Sequence, residues 1–361
     1  MRSANRLGPG PAIPHSALRL AVAMLLAASV LLSLDVQAQA AGSGMSGRAS
    51  GSSTPLLGGT WGHYTGQSDP AYIAWESATG TNKTLLAKIG LRSKVQWFGS
   101  WIPTSQIGDK IHRYISRSQH GDPRALVQLA IFRLWPKGEK AKAQPLTLAD
   151  QAAYRGWVDT VARAIGSTRV AMVLEPDLAV ALHGWRPSVR LSLARYAARA
   201  FGALPRTSVY LDASDADWLK VTPAVSMLRS AGVRFVRGFA LGATHYAATS
   251  SEVTFGREII SALTKAGISG RHFVIDTADN GRPFTWKQYY AAHPNGNFDN
   301  AEVCQSRTQL RCDTLGIPPT THVSDPSQVD AYLWFGRPWL VNQASPFSLS
   351  RALAVARTTP Y

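Results

Sequence analysis

Seven short apolar segments recur along the chain, and turn-forming or polar residues bound each of them. Most are nearly continuous runs of Val, Ile, Leu and Phe, which is typical of strands buried on both faces of a parallel sheet. We therefore interpret them as strands. They are VQWFGSW (95–101), ALVQLAIF (125–132), VAMVLEPD (170–177), TSVYLDAS (207–214), FVRGFALG (235–242), HFVIDTAD (272–279) and DAYLWF (330–335).

Amphipathic stretches of helical length separate most of these segments. Apolar residues repeat at three- to four-residue spacing within 147–165, 189–201 and 252–266, as expected of helices that pack one face on a core. Strand–helix alternation predicts parallel strands with helices outside. An open, doubly wound sheet is the competing architecture, but no Gly-x-Gly-x-x-Gly follows the first strand. The pattern favours an α/β fold, a TIM-like parallel (β/α) barrel of about seven strands in a single domain.

The N-terminal segment predicts export. Arginines precede an uncharged apolar run at 20–34, and Ala-Gln-Ala at 38–40 gives the small-x-small pattern of a signal-peptidase site. The run is short for a membrane span, so we predict a signal peptide over 1–40 and no transmembrane segment after its removal, with an uncleaved anchor as the alternative. The protein is then secreted, to the periplasm or the exterior. A Gly/Ser-rich flexible spacer at 41–55 precedes the barrel domain at 56–361.

Composition and charge narrow the range of partners. The 361 residues are 45% hydrophobic and 17% charged, which excludes a disordered or fibrous chain. The formal net charge of +16 favours adsorption to anionic surfaces, but Lys and Arg are scattered, so no nucleic-acid partner is predicted. The nine His are dispersed and no Cys-x-x-Cys or His-x-x-x-His pair occurs, so the sequence predicts neither a metal site nor a cofactor.

Acidic residues lie at or near the C-terminal ends of several predicted strands. Glu175 and Asp177 end the third strand, Asp212 lies in the fourth, and Asp276 and Asp279 end the sixth. The C-terminal ends of parallel strands form the active-site face of a barrel. A single acid at a strand end is more often a helix cap or an ion-pair partner. Three strands that end in acids at the same rim instead indicate a catalytic site. Paired carboxylates suit glycoside hydrolysis, because one protonates the leaving oxygen while a second group activates the attacking water.

Four tryptophans lie at or just beyond strand ends: Trp97, Trp101, Trp218 and Trp334. At such positions indole faces are able to stack on sugar rings, so we predict that these four residues bind substrate. Core packing is the alternative for each of them, since so large a ring is readily buried.

Six motifs, in order along the chain, resemble those of glycoside hydrolase family 6. They are VQWFG (95–99), LEPD (174–177), YLDA (210–213), GFA (238–240), FVIDT (273–277) and DAYLW (330–334). The resemblance extends over roughly residues 60 to 340 and implies a cellulase with a distorted barrel that cleaves β-1,4-glucan with inversion. It also implies that Asp177, in Glu-Pro-Asp, is the general acid and that Asp212 and Asp276 are supporting carboxylates.

Two motifs of that family are altered in this chain. The family's second strand carries Tyr-Asn-x-Pro-x-Arg-Asp-Cys, whereas LAIFRLWP stands at 129–136 and the nearest following acid is Glu139. The family's last loop carries Lys-Pro-x-Gly-Glu-Ser-Asp-Gly, and a gapless comparison puts Asn342 at its Asp position. An inverting hydrolase needs a group that deprotonates water, and Glu139 and Asp279 both stay open as candidates for that role.

The cysteines also differ from the family pattern. Both partners of one family disulfide are missing, and Cys312 resembles the family's Cys-Asn-Pro motif without its usual partner. Cys304 lies eight positions earlier, and an exported protein can oxidise the pair. We therefore predict a disulfide between Cys304 and Cys312, with free thiols as the alternative.

Together these features predict a secreted glycosidase that hydrolyses β-1,4-glucosidic bonds in glucan chains or oligosaccharides. The loops that disulfides tie down in exo-acting members of the family lack those anchors here, so we expect an open cleft and endo-type cleavage. A catalytically weak relative that binds polysaccharide through its tryptophans is the alternative.

Overall fold

The computed structural model describes residues 54–135, 138 and 142–361. The predicted signal peptide at 1–40, nearly all of the predicted spacer at 41–55, and Glu139 lie outside the described residues. What was expected of those segments therefore stays a prediction.

Seven parallel strands form one sheet in which the spatial order follows the chain order. Six of the seven strands fall within the apolar segments, and the seventh begins one residue before its segment. The sheet curls into a distorted barrel, so the predicted fold class is confirmed. The strands are β1 (Gln96–Gly99), β2 (Val127–Phe132), β3 (Val170–Leu174), β4 (Thr207–Asp212), β5 (Gly238–Leu241), β6 (His272–Asp276) and β7 (Val329–Leu333).

Helices connect the consecutive strands on the outside of the sheet. The amphipathic stretches give α4, α5 and α7, and α4 begins at a capping box in which Thr147 and Asp150 bond each other's backbone N–H groups. The helices of the described residues are α1 (Pro70–Ser77), α2 (Gly80–Gly90), α3 (Thr104–Gln119), α4 (Leu148–Ile165), α5 (Pro187–Gly202), α6 (Val221–Ala231), α7 (Thr249–Lys265), α8 (Trp286–Ala292) and α9 (Leu349–Thr358).

Small side chains line the inner surface of the curled sheet. Ala130, Ala171, Ala240 and Ala331 come from β2, β3, β5 and β7, and they leave room for the ring of Tyr210 from β4. Alternating small and large residues is how a narrow barrel fills its tapering interior. The outward-facing Val, Leu, Ile and Phe of the same strands pack against the helices in the larger core.

A buried ion pair crosses the interior. The Tyr210 hydroxyl donates to Asp330 Oδ2 over 2.7 Å, and the Arg237 guanidinium donates to both oxygens of that carboxylate over 2.8 and 2.9 Å. Asp330 is the additional residue at a bulge between β6 and β7. Burial opposes ionisation of Asp330, but the hydrogen bonds from Arg237, His272 and Tyr210 outweigh it and lower the pKa to about 2.

Two hydrogen bonds join the first strand to the last. Val95 N donates to Trp334 O over 2.8 Å, and Trp97 Nε1 donates to Phe335 O over 2.8 Å. In the described part of the chain no β-ladder pairs β1 with β7, so these contacts join the two edges of the curled sheet.

Cys304 and Cys312 form a disulfide, as the sequence predicts. Within residues 54–135, 138 and 142–361, none of the helices combines the length and the apolar character needed to cross a bilayer.

Candidate active site

A cleft opens at the C-terminal ends of the strands, with a volume of about 1350 Å³. Its wall contains Asp177, from the turn that follows β3, together with residues that follow the other strands. Indole rings are prominent in that wall and belong to Trp97, Trp101, Trp218 and Trp286. The structure therefore brings the predicted acid and most of the predicted tryptophans to one face of the sheet.

The turn that carries Asp177 has an uncommon backbone. Glu175 and Asp177 have φ angles of 55° and 64°, in the left-handed region that side chains other than Gly seldom adopt. Such conformations cluster at functional sites and persist only where the surroundings hold them. Glu175 N donates to Ile131 O over 2.7 Å, so the turn starts as an extension of the sheet.

Glu175 fixes this turn to the neighbouring loop. Its buried carboxyl accepts hydrogen bonds from Arg133 N (2.9 Å), Leu134 N (3.0 Å) and the Tyr154 hydroxyl (2.7 Å). Burial raises the pKa of Glu175 to about 7, although the three donors lower it. Through these hydrogen bonds, Glu175 links the end of β3 to the segment that follows β2.

Asp212 lies behind the cleft wall rather than in it. The carboxyl is buried at the end of β4, and its Oδ2 accepts from Ser214 N over 3.3 Å. The backbone N–H of Leu178, the residue that follows Asp177, also favours the ionised carboxyl. Burial raises the pKa of Asp212 to about 7, and the two backbone donors oppose that shift. The Asp212 carboxyl therefore acts on the backbone beside Asp177 and does not line the cleft.

Asp276 is surrounded by backbone donors. Oδ1 accepts from Ala278 N (3.0 Å) and Phe335 N (3.2 Å), while Oδ2 accepts from Thr244 N (3.2 Å) and Gly336 N. Burial raises its pKa to about 7 against the effect of these four donors. The carboxyl therefore ties the loops after β5 and β7 to the end of β6.

Asp279 lies beneath the floor of the cleft. Its Oδ1 accepts from Gln343 Nε2 over 2.7 Å, and a Cβ at Gly336 would stand 1.6 Å from its Oδ2, so only glycine fits there. Burial raises the pKa of Asp279 well above its usual value, and the carboxyls of Asp313 and Asp276 act in the same direction. A buried acid behind the wall is poorly placed to accept a proton from water in the cleft.

Arg337 places a positive charge beside Asp177. The half-buried guanidinium lies 4.0 Å from the centre of the Trp97 ring. Burial lowers its pKa to about 10, and the carboxyls of Asp279, Asp177 and Asp276 oppose that change. Arg337 is thus cationic at neutral pH.

The tryptophans divide into exposed and buried rings. Trp101, Trp218 and Trp286 are 57%, 41% and 55% exposed and line the cleft, whereas Trp97 is only 5% exposed beneath Arg337. Trp334 is 2% exposed, packs against Trp339 and donates from Nε1 to Ile317 O over 2.9 Å. The expectation that Trp334 stacks on sugar is therefore wrong, because its ring is part of the core.

Sequence reasoning missed four cleft residues: Trp286, Asp217, His245 and Arg337. Trp286 opens α8 rather than ending a strand, and the Thr-x-x-Gln capping box that starts this helix marks its position in the sequence. Asp217 stands in the acid-rich stretch DASDAD, which follows the fourth predicted strand. No comparable pattern marks the other two residues.

The family model for glycosyl hydrolases family 6 matches residues 62–339. The chain is 32% identical over 281 residues to Endoglucanase A of Cellulomonas fimi, a match that covers 77% of this chain and 56% of the relative. It is 26% identical over 250 residues to Endoglucanase A of Thermobispora bispora, covering 67% of this chain and 49% of the relative. The chain thus spans about half the length of these curated relatives.

A solved structure is similar over most of the chain. It is an endoglucanase of Mycobacterium tuberculosis in complex with methyl-cellobiosyl-4-deoxy-4-thio-β-D-cellobioside. The sequence identity is 28%, the match covers 84% of this chain and 99% of that one, and the TM-score is 0.69.

The raised pKa of Asp212 predicts a pH-dependent stability. Between the unfolded pKa of about 3.9 and the folded value of about 7, the folded protein keeps a proton that the unfolded chain has lost. The contribution of Asp212 is therefore most favourable below pH 4 and is lost as the pH rises toward 7. Relative to the wild type, we expect the melting temperature of Asp212→Asn to rise between pH 4 and pH 7 and to level off above it.

Thermal melts in matched buffers measure this difference. Asp109→Asn is the control, because Asp109 is an exposed acid on α3, and its difference from the wild type should not change with pH. A difference for Asp212→Asn that is constant from pH 4 to 8 would contradict the raised pKa.

Proposed function

The chain belongs to glycosyl hydrolases family 6, and we propose that it is a secreted enzyme that hydrolyses β-1,4-linked glucan with inversion, at internal bonds. The predicted signal peptide supports secretion. The names of the endoglucanase relatives support cleavage within a glucan chain. The oligosaccharide in the related solved structure supports a cello-oligosaccharide as the ligand of the cleft.

The position of Asp177 in a cleft with exposed indole rings on its walls supports this function most directly. Glycoside hydrolysis requires an acid that protonates the leaving oxygen, and aromatic faces hold sugar rings in register with it. We assign that proton transfer to Asp177. Asp212 and Asp276 are positioning residues, since their carboxyls bind backbone N–H groups of the loops around the acid.

Water activation requires a second group on the other side of the sugar. The carboxyls of Asp276 and Asp279 lie behind the cleft wall, where they accept hydrogen bonds from other groups of the protein. Glu139 therefore remains as the sequence-based candidate for the base. Its segment starts at Arg133 and Leu134, whose N–H groups Glu175 holds beside β3. We propose that Glu139 supplies the base, and Asn342 contributes a polar side chain to the cleft wall.

Substitution of the acid tests the enzymatic proposal. Asn tolerates the left-handed backbone of position 177, so Asp177→Asn should fold normally. We expect it to lower the release of reducing ends from soluble β-1,4-glucan by roughly 10²- to 10⁴-fold, the usual effect of losing a general acid. For substrates with good leaving groups the loss should be smaller, because they need less protonation.

Viscosity and reducing ends are measured together on the wild-type protein. An endo-acting enzyme lowers viscosity before reducing ends accumulate, and anomer-resolved NMR should show the α-anomer as the first product of inversion. Near-wild-type rates in Asp177→Asn would contradict the assignment. Binding of cellohexaose without product from pH 4 to 8 would instead favour the polysaccharide-binding alternative.

A pair of tryptophans tests the role of the cleft wall. Trp218→Ala removes an exposed ring, so we expect cellohexaose affinity to fall about tenfold while stability changes by no more than about 1 kcal/mol. Trp334→Ala is the matched comparison and should cost about 3–5 kcal/mol of stability, because its ring is in the core. Calorimetric titration and thermal melts of both variants measure this, and unchanged binding by Trp218→Ala would refute a stacking role.

A further inference from the structure

Three side chains that are able to bind a cation converge in the cleft wall. Asp215 and Asp217 follow β4, and His245 follows β5. One oxygen or nitrogen from each side chain lies within 4.8 Å of the others. Asp217 and His245 line the cleft, whereas Asp215 is 1% exposed behind them.

One oxygen of the buried carboxyl in this cluster lacks an N–H donor in the described part of the chain. Asp215 Oδ1 accepts from Asp217 N over 2.9 Å, whereas no N–H group of the described residues donates to Oδ2. The carboxyls of Asp217 and Glu252 lie against the Asp215 carboxyl. His245 Nδ1 lies 3.7 Å from Asp215 Oδ2 and is without a hydrogen-bond partner among the same residues. Buried polar atoms nearly always have a hydrogen-bond partner. A carboxylate oxygen and an imidazole nitrogen that face each other without one therefore point to a ligand that binds between them.

The charge of the cluster indicates which kind of ligand is missing. The carboxyl of Glu252, from α7, is buried against that of Asp215. One of its oxygens accepts from Ala216 N (3.1 Å), and no N–H group of the described residues donates to the other. Among the described residues, no Arg or Lys forms an ion pair with Asp215, Asp217 or Glu252.

Other buried acids of the same chain do have a basic partner. Asp330 is paired with Arg237 and Asp313 with Arg351. Buried carboxylates require a proton, a basic side chain or a bound cation, and among the described residues the acids around His245 have no Arg or Lys partner.

We propose that Asp215, Asp217 and His245 bind a divalent first-row transition-metal cation, such as Zn²⁺, in the wall of the cleft. Two carboxylate oxygens and one imidazole nitrogen form a mixed donor set that suits Zn²⁺ better than Mg²⁺. Ligand atoms around tetrahedral Zn²⁺ are roughly 3.3 Å apart, so small side-chain rotations bring these atoms into range. Three protein ligands leave a fourth position for water or a substrate hydroxyl.

The imidazole is already oriented for this role. The His245 ring stacks on Trp218 with centroids 5.6 Å apart, and the edge of Phe298 packs on it at 5.5 Å. These ring contacts hold the imidazole with Nδ1 3.7 Å from Asp215 Oδ2. A cation on His245 would also hold the ring that supports Trp218. That link to sugar binding rests on the proposed function, whereas cation binding itself does not.

Calorimetric titration of the metal-stripped full chain with Zn²⁺ tests the site. We expect one saturable site in the wild type, and at least tenfold weaker binding of Mg²⁺. Asp215→Asn and His245→Phe should each weaken Zn²⁺ binding by at least 30-fold. His245→Phe keeps an aromatic ring against Trp218, so it preserves the test if Asp215→Asn does not fold.

Asp299→Asn is the matched control, since Asp299 is an exposed acid of the same cleft that is outside the ligand set. It should change the Zn²⁺ affinity by less than threefold. The proposal is overturned if the wild type shows no saturable binding, or if the control weakens binding as much as the ligand variants do. Because the readout is heat of binding, it stands whether or not the protein cleaves glucan.

Discussion

Buried carboxyls at the strand ends organise the rim of the sheet. Loops that leave a parallel sheet have backbone N–H groups without ladder partners, and burying them unpaired costs free energy. Glu175, Asp212 and Asp276 accept these groups from the loops next to them. Their raised pKa values show what burial costs each acid, and the cleft exists because these contacts hold its loops in place.

The position of Asp177 follows from these contacts. Glu175 holds the turn to the segment after β2, and Asp212 binds the backbone of Leu178 on the other side. Asp177 lies between them in a left-handed conformation that its neighbours stabilise. The acid is therefore fixed at the cleft wall by groups that do not themselves face the cleft.

The sequence predicted the strands, their order and the acid-bearing rim, because continuous apolar runs and strand-end acids are local patterns. It failed where burial depends on distant packing. Trp334 follows a strand as Trp101 does, yet its neighbour Trp339 and the carbonyl of Ile317 hold it in the core. Nor does a local pattern bring His245 beside Asp215, because the two residues come from loops after different strands.

If Asp177 is the general acid, its side chain faces the bond that is cleaved. A crystal structure of the Asp177→Asn variant with cellohexaose tests this position directly. We expect the side chain at position 177 to lie within about 3.2 Å of a glycosidic oxygen, with glucose rings on Trp101 or Trp218. An oligosaccharide whose glycosidic oxygens all face other residues, with position 177 pointing away from them, would contradict it.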